Sequence, residues 1–489
     1  MALQWFWVSS ATLLVFYIFA KKVIRNLNGW YYDVKFRNKE YPLPSGDMGW
    51  PIIGNLYTFY KSFSSGQPDS FISNFIFRYG RTGIYKTQLF GSPSIIVCTP
   101  EICRRVLTDE VNYKLSYPKA TKKLMRSRLD NSWEHRQFKR LVTAPIVGQN
   151  ALGVYLERIE NIVINSLEEM SSVKQPIEFL EEMRKVSFKV IIQIFLGSCN
   201  QQIVTKFGDL FDVMQNGLFS LFPIEAPGFS FNNALQARKK VVKIVESLID
   251  ERRLMMNNSE IGEKKDIVDI LLEIKDDNDE KMKDEDIIDF LIVLLFGGHE
   301  SVATAMMWSV IYLTQNPQCL KRAKEEQEVI IKARSSSEKR LCLKEIKEMV
   351  YLSQVINESL RLTSNAALVF REAASDLNIN GYLIPKGWKV LVWLRALHME
   401  PEYHSNAEDF NPSRWDDYNL TEGTFLPFGI GKRLCPGLDL TRFEFSIFLH
   451  YFLLNYKLEQ INPECRINCI PISRPIDNCL AKVIKLSTS

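Results

Sequence analysis

The chain has 489 residues, and 46% of them are hydrophobic, which is enough to bury a large core. Its 61 basic and 57 acidic residues leave a net charge of +4, too small to indicate a nucleic-acid partner. The nine cysteines form no CxxC pair, so the sequence predicts neither a disulfide framework nor a zinc site and fits a reducing compartment.

The chain begins with an apolar run. The first twenty residues carry no charged side chain, and Lys21, Lys22 and Arg25 follow them directly. About twenty apolar residues are enough to span a bilayer. A cleaved signal peptide has its positive charge before the apolar run, whereas basic residues after the run keep the remaining chain on the cytoplasmic side. We therefore predict a membrane anchor over residues 1–22, with a buried core helix as the alternative.

Residues 23–51 are predicted to form a linker. Residues 26–39 are basic and amphipathic, and residues 41–51 are rich in proline and glycine, which favours a stiff, extended spacer. From residue 52 to residue 489 the pattern is mainly helical, without an internal repeat. This predicts one large, mainly α-helical domain with a small β-sheet region.

The expected β-sheet comes from two parts of the chain. Residues 83–98 alternate around Gly91–Pro93, which predicts a hairpin, and residues 371–393 carry turn signals between further short strands. The charge-rich run 264–289 instead predicts a solvated surface loop that leads into a helix.

The helix that follows is almost wholly apolar from about residue 290 to residue 316, so we expect it to cross the interior. Gly297 and Gly298 each weaken a helix by about 1 kcal/mol, which indicates either a local opening or close packing against another helix. Glu300 and Ser301 supply an acid and a hydroxyl that could transfer protons. We expect His299 to face solvent or a neighbouring helix.

A glycine-rich loop, Phe428–Gly437, surrounds Cys435. A cysteine thiolate is a ligand of haem iron, and the alternative is a buried free cysteine. Gly431 and Gly437 would let the backbone turn tightly and approach a flat macrocycle. Pro436 suits the first position of a following helix, whose N-terminus would lower the pKa of the thiol. Arg433 could bind a haem propionate, and Phe428 could shield the sulfur from water.

Together with Glu300 and Ser301, this loop resembles the signature of the cytochrome P450 family of haem-thiolate monooxygenases. The resemblance implies a helical fold in which haem b lies between the central helix and the loop, with Cys435 as the axial iron ligand. It also implies that dioxygen is the oxidant and that Glu300 and Ser301 relay protons. Ser301 stands where the family usually has threonine, and Gly297 stands where alanine is commoner.

The resemblance assigns further residues to holding the haem. Glu358 and Arg361 lie on one face of a predicted helix, a pattern that is also common on protein surfaces. With Arg414 they match a structural Glu-Arg-Arg brace of the family. The remaining matches are cations expected to bind the haem propionates: Arg371, His135 and Lys139, where the family more often has arginine at the position of Lys139.

Five segments resemble one plant branch of the family, which contains ent-kaurenoic acid oxidases and beta-amyrin 11-oxidases: residues 26–35, 78–86, 104–109, 323–327 and 477–481. The first segment is more similar to the beta-amyrin 11-oxidases. The resemblance implies oxidation of a hydrophobic terpenoid, at C-11 of beta-amyrin, to an alcohol and then a ketone. It implies electrons from NADPH–cytochrome P450 reductase and a single-pass attachment to the endoplasmic reticulum membrane.

Three alternatives stay open at this point. The substrate could be ent-kaurenoic acid, although its carboxylate would need a cation. A haem-thiolate lyase or isomerase would need neither dioxygen nor electrons, and Glu300 with Ser301 argues against it. A haem sensor or membrane scaffold without catalytic activity would leave those two residues unexplained.

Overall fold

The structure, a computed structural model, describes residues 21–126, 152–197, 201–218, 220, 223–257, 266–275, 279–334, 340–416 and 421–487. Residues 1–20 of the predicted anchor lie outside the described residues. His135 and Lys139 also lie outside them.

Helices make up most of the described chain, which confirms the mainly α-helical prediction. A helical segment covers residues 21–35. The helices after it are α1 (Leu56–Ser64), α2 (Asp69–Tyr79), α3 (Pro100–Thr108), α4 (Lys119–Met125), α5 (Leu156–Ser172), α6 (Phe179–Phe195), α7 (Gln201–Leu218), α8 (Ser230–Asn257), α9 (Ile267–Glu273), α10 (Asp284–Gln315), α11 (Pro317–Ala333), α12 (Leu343–Glu348), α13 (Val350–Thr363), α14 (Leu394–Met399) and α15 (Leu438–Asn455).

The strands are short. They are β1 (Gly46–Asp47), β2 (Ile84–Leu89), β3 (Ser92–Val97), β4 (Tyr113–Leu115), β5 (Ile177–Glu178), β6 (Val369–Ala373), β7 (Leu377–Ile379), β8 (Tyr382–Ile384), β9 (Lys389–Val392), β10 (Tyr456–Gln460), β11 (Ile467–Asn468), β12 (Arg474–Pro475) and β13 (Leu480–Lys485). Two 3₁₀ helices cover Pro412–Trp415 and Gly431–Arg433.

The chain divides into two compact units. The first combines Met1–Ser116 with Ala367–Leu397, and the second combines Tyr117–Ala366 with His398–Ser489. The first unit contains a six-stranded sheet in the order β1-β2-β3-β9-β6-β4. Strands β2 and β3 pair antiparallel, with Ile84 opposite Val97, so the predicted hairpin is confirmed.

The expected extended spacer is integrated into the first unit. Strand β1 pairs in parallel with β2. The side-chain amide of Asn28, in the helical segment, donates to the carbonyl oxygen of Met48 at 2.8 Å and to Oε1 of Gln88 at 2.8 Å. Residues 21–50 are therefore held against the sheet by specific hydrogen bonds.

The second unit has a large hydrophobic core to which α5, α6, α10, α13 and α15 all contribute. Among the described residues α10 alone is long and apolar enough to cross a membrane, and 67% of its most apolar window is buried, as in a core helix. Helix α9 lies within the run predicted to be a solvated loop. That prediction is wrong there, because Ile267, Val268 and Leu271 are buried in the core.

Candidate active site

Backbone hydrogen bonds close the loop around Cys435. The N–H of Cys435 donates to the carbonyl oxygen of Phe428 at 2.9 Å. Gly431, with φ of +78°, takes the left-handed conformation that glycine adopts without strain, as the sequence predicted for a tight turn. Helix α15 begins at Leu438, so Pro436 precedes its first turn and does not occupy the predicted first position. The helix N-terminus still follows the cysteine directly.

The space beside Gly437 indicates whether a haem could fit against this loop. Its φ of −88° is open to any residue, and a Cβ built there would lie 3.9 Å from Sγ of Cys435, an ordinary contact distance. The protein itself therefore does not require glycine at this position. A glycine that leaves the space beside a half-buried thiol clear fits a flat group that approaches the sulfur closely.

Phe428 and Arg433 precede the cysteine in the loop. Phe428 is partly buried against the hydrophobic core, and the guanidinium of Arg442 lies 5.9 Å from its ring centre. Arg433 ends the 3₁₀ helix two residues before Cys435 and is partly exposed. The predicted roles of these two residues, shielding the sulfur and binding a haem propionate, stay predictions.

The glycine pair of α10 does not interrupt the helix. Helical backbone continues through Gly297 and Gly298, so the predicted local opening is absent from the backbone. A Cβ at Gly298 would lie 2.6 Å from Cδ1 of Ile191, whereas a Cβ at Gly297 would meet nothing within 4 Å. Gly298 therefore permits close packing against α6, and Gly297 leaves open space beside the helix.

Ser301 lies one turn after this open space. Its hydroxyl donates to the carbonyl oxygen of Gly297 at 2.9 Å. The side-chain amide of Asn365 donates to the carbonyl oxygen of Ser301 at 2.6 Å. These bonds hold a partly exposed hydroxyl next to Gly297.

Glu300 is buried and bound by an arginine from α6. Nε of Arg184 lies 2.5 Å from one carboxylate oxygen of Glu300, and Nη2 lies 2.6 Å from the other. Burial alone would raise the pKa of Glu300, but the hydrogen bonds and charge of Arg184 more than offset this, so the pKa falls below its usual value. Glu300 is thus a buried carboxylate at neutral pH.

The surroundings of this pair are also titratable. Burial raises the pKa of Asp212, on α7, to about 6, and the charge of Arg184 opposes that rise. His299 packs against the rings of Phe188 and Phe211, and burial lowers its pKa to about 4. Of the two predicted surroundings of His299, solvent or a neighbouring helix, the structure shows the second. The imidazole of His299 is neutral at pH 7.

The structure brings Glu358, Arg361 and Arg414 together. Glu358 accepts hydrogen bonds from Arg361 at 2.8 and 2.9 Å and from Nε of Arg414 at 2.8 Å. Glu358 and Arg361 are completely buried. The indole N–H of Trp415 also donates to Glu358, at 3.0 Å. We call these three charged residues the brace.

His398 connects the brace to the segment that leads to the cysteine loop. Its Nε2 accepts a hydrogen bond from the N–H of Leu426 at 3.0 Å, so Nδ1 carries the proton and donates to the hydroxyl of Ser364 at 2.8 Å. That hydroxyl donates to the carbonyl oxygen of Arg361 at 2.7 Å. This chain of bonds positions the segment before Phe428 relative to the brace.

A comparison with known families accounts for this arrangement. The family model described as Cytochrome P450 matches residues 44–477. The chain belongs to the cytochrome P450 family. The protein is therefore a monooxygenase, and its cofactor is a haem with thiolate-bound iron.

Relatives of this cytochrome P450 include terpenoid oxidases. Over 492 residues it is 63% identical to beta-amyrin 11-oxidase of Glycyrrhiza uralensis, a match that covers 100% of both chains. It is 45% identical to ent-kaurenoic acid oxidase 2 of Arabidopsis thaliana, covering 99% of this chain and 98% of that one. A solved structure, retinoic acid bound cyanobacterial CYP120A1, matches with a TM-score of 0.81 and 26% identity over 91% of this chain and 100% of the other.

Of the predicted propionate-binding cations, the described residues include Arg371 and Arg433. Arg371 lies on β6 of the first unit, where it is buried and Nη1 donates to the carbonyl oxygen of Phe370 at 3.1 Å. His135 and Lys139 lie outside the described residues. Their role in this cytochrome P450 stays a prediction.

Sequence reasoning missed three residues that shape the site: Arg184, Asn365 and His398. A detectable signal existed for Arg184, which at helical spacing shares a face of α6 with the apolar residues Leu180, Phe188 and Ile191. A charge on an apolar helical face indicates a buried ionic partner. Asn365 and His398 carry no such signal, because their partners are far away in the chain and are brought near only by packing.

Proposed function

We propose that this cytochrome P450 oxidises C-11 of beta-amyrin, an allylic methylene of a pentacyclic triterpene, to the alcohol and then the ketone. The 63% identity to beta-amyrin 11-oxidase over the full length of both chains carries this proposal. The apolar side chains of α10 before the glycine pair, from Phe290 to Leu295, provide an environment suited to a hydrocarbon substrate.

Cys435 is the residue that would hold the haem iron through its thiolate, and Gly437 keeps the space beside the sulfur clear. A haem bound there supplies the iron at which dioxygen is reductively activated, and a thiolate ligand favours O–O cleavage. The N-terminus of α15 carries a partial positive charge that stabilises the thiolate. Arg433 and Arg371, with His135 and Lys139, are the proposed partners of the haem propionates.

Glu300 and Ser301 are the proposed proton-transfer residues. Both carboxylate oxygens of Glu300 accept from Arg184, so Glu300 can take up a proton only after that pair opens. Asp212, with its raised pKa of about 6, is a nearby acid that can exchange protons near neutral pH. The hydroxyl of Ser301 is the proposed final proton donor. It lies beside Gly297, where the structure leaves open space.

The brace is proposed to be structural. Both carboxylate oxygens of Glu358 and the guanidinium groups of Arg361 and Arg414 are engaged in hydrogen bonds within the protein, which leaves no group available for chemistry. Its connection through His398 to Leu426 supports a role in holding the cysteine loop.

We further propose NADPH–cytochrome P450 reductase as the electron donor, with the chain attached to the endoplasmic reticulum membrane through residues 1–22. Enzymes of the cytochrome P450 family generally take electrons from a redox partner. The exposed cation Lys432, in the cysteine loop, suits an acidic partner.

Ent-kaurenoic acid is the second candidate substrate, supported by the 45% identity to an oxidase of that acid. Its carboxylate would need a cation. The buried arginine beside the centre of α10, Arg184, is already bound by Glu300 and Glu181. This favours the uncharged triterpene.

Product analysis separates these candidates. Microsomes containing this chain and the reductase should convert beta-amyrin to products oxygenated at C-11 and leave ent-kaurenoic acid unchanged. Conversion of ent-kaurenoic acid alone would overturn the triterpene proposal. Product formation without NADPH would instead indicate a lyase or isomerase.

A further inference from the structure

The first unit contains an open polar cavity of about 500 Å³ that the monooxygenase chemistry does not use. It lies between the helical segment 21–35 and the residues of β1, β2 and the end of α2. Trp30, at its edge, is 63% exposed. We call it the N-terminal cavity.

Cations dominate this cavity. Lys22, Arg25, Arg78 and Lys86 line it together with two carboxylates, those of Asp33 and Asp47, so four positive and two negative side chains give a net charge of +2. An excess of positive charge in a concave site favours an anionic ligand.

One partly buried carboxylate, that of Asp47, holds both arginines in place. Nη2 of Arg25 and Nη1 of Arg78 lie 2.5 and 2.8 Å from the same oxygen, Oδ2 of Asp47. The other Asp47 oxygen accepts from the N–H of Gly49 at 2.7 Å. A guanidinium has several N–H donors in a rigid plane, so contact with Asp47 through one nitrogen leaves others able to bind an anion.

Gly29 gives a second, independent indication. It lies inside the helical segment, where glycine costs about 1 kcal/mol relative to alanine. A Cβ at Gly29 would meet nothing within 4 Å, so packing within the protein does not explain the glycine. It lines the N-terminal cavity, and the space that a side chain would occupy there is open. The glycine therefore keeps the cavity open for a group that is not part of the chain.

The cavity begins at Lys22, immediately after the twenty uncharged residues that start the chain. Phosphate groups of anionic lipids attract lysine and arginine at a membrane surface by about 1 kcal/mol per residue. We propose that the N-terminal cavity binds the phosphodiester headgroup of an anionic phospholipid. The expected position of the cavity at the bilayer surface rests on the proposed membrane attachment.

The test uses the full chain in detergent solution, titrated by calorimetry with dihexanoyl-phosphatidylglycerol or dihexanoyl-phosphatidylcholine. We expect the anionic lipid to bind at least about tenfold more tightly, from the charge excess. The double variant Lys22→Gln/Arg25→Gln should weaken that binding by about tenfold or more. Gly29→Leu, which leaves the charge unchanged, should abolish it. The matched control, Lys35→Gln/Arg37→Gln, removes two charges outside the cavity and should leave the affinity unchanged.

Equal affinity for the two lipids would overturn the proposal, and so would unaltered binding in Gly29→Leu or equal weakening in the control. Inorganic phosphate that displaces the lipid at a similar concentration would show that the cavity takes free phosphate instead. Because the titration is done in detergent, it does not depend on the anchor. Release of the chain from microsomes by a salt wash would refute the membrane attachment without deciding headgroup binding.

Discussion

The second unit contains two buried ionic clusters that differ in how they are held. In the brace, Glu358 accepts from Arg361, Arg414, Trp415 and the N–H of Asn411, and Arg361 donates to the carbonyl oxygens of His398 and Ala407. The second cluster consists of Glu300 and Arg184, and we call it the relay pair. In it Glu300 is held by a side chain, that of Arg184. Backbone anchors fix the brace, whereas side chains can exchange partners, so only the relay pair is suited to transfer protons.

The largest expected effect concerns the cysteine loop, which we propose that the brace supports. Cys435→Ser should abolish the thiolate-type absorption of the ferrous–CO complex and all turnover, because serine does not supply a thiolate. The spectrum of purified protein measures this. Cys98→Ser, a second partly buried cysteine, is the control and should leave the spectrum intact. A normal spectrum in Cys435→Ser would refute the ligand assignment.

Breaking the brace comes next. Glu358→Gln leaves Arg361 buried without a compensating charge, which typically costs about 3–5 kcal/mol. We expect little folded, haem-containing protein, measured as haem content per chain after expression. Glu325→Gln disrupts an exposed ion pair with Lys321 and should cost no more than about 1 kcal/mol. Equal haem content in both variants would show that the brace does not support the loop.

The relay pair should respond differently. Glu300→Gln should lower the rate of product formation by about 10²-fold or more, a typical loss when a proton-transfer group is removed, while haem content is kept. Glu181→Gln removes the other carboxylate bound to Arg184 and should change the rate only a few-fold. Similar losses in both variants would assign the effect to Arg184 rather than to Glu300.

Ser301 should affect coupling more than rate. In Ser301→Ala, NADPH consumption should continue while a larger share of the electrons leaves as hydrogen peroxide, because the last proton donor is missing. Ser301→Thr keeps a hydroxyl with fewer rotamers, so its coupling should match that of the unaltered protein and exceed that of Ser301→Ala. Ser309→Ala removes the same type of hydroxyl-to-carbonyl bond elsewhere on α10 and serves as the control. Full coupling in Ser301→Ala would remove this residue from the relay.

The smallest effect is on acid stability. Burial lowers the pKa of His404, beside the brace, to about 4, and the charges of Arg361 and Arg414 add to this. Between pH 6.5 and 4 the unfolded chain binds a proton at His404 that the folded chain does not, so stability falls as the pH falls. His404→Gln keeps a donor for the carbonyl oxygen of Thr424 and should reduce that fall in the melting temperature by a few degrees. If the melting temperature of His404→Gln depended on pH as it does in the unaltered protein, the lowered pKa of His404 would be contradicted.

Much of the fold could be predicted because its signals are local. The hairpin of β2 and β3 follows from alternation around Gly91, and α10 follows from a long apolar run. The prediction of a solvated loop over the charge-rich run 264–289 was wrong at α9 because composition describes only the average of a segment. Ile267, Val268 and Leu271 are few among many charged residues, yet they recur at helical spacing and α9 buries them.

By itself the sequence determined the chemical type of this protein, since a cysteine loop, an acid–hydroxyl pair and an E-x-x-R pair are defined by residues close together in the chain. Only the tertiary structure decided that Arg184, more than a hundred positions away, binds Glu300, that Gly298 packs while Gly297 faces open space, and that Gly29 borders a basic cavity. The reason is physical. Local spacing sets which side chains share an element, whereas burial and charge pairing depend on which elements pack together.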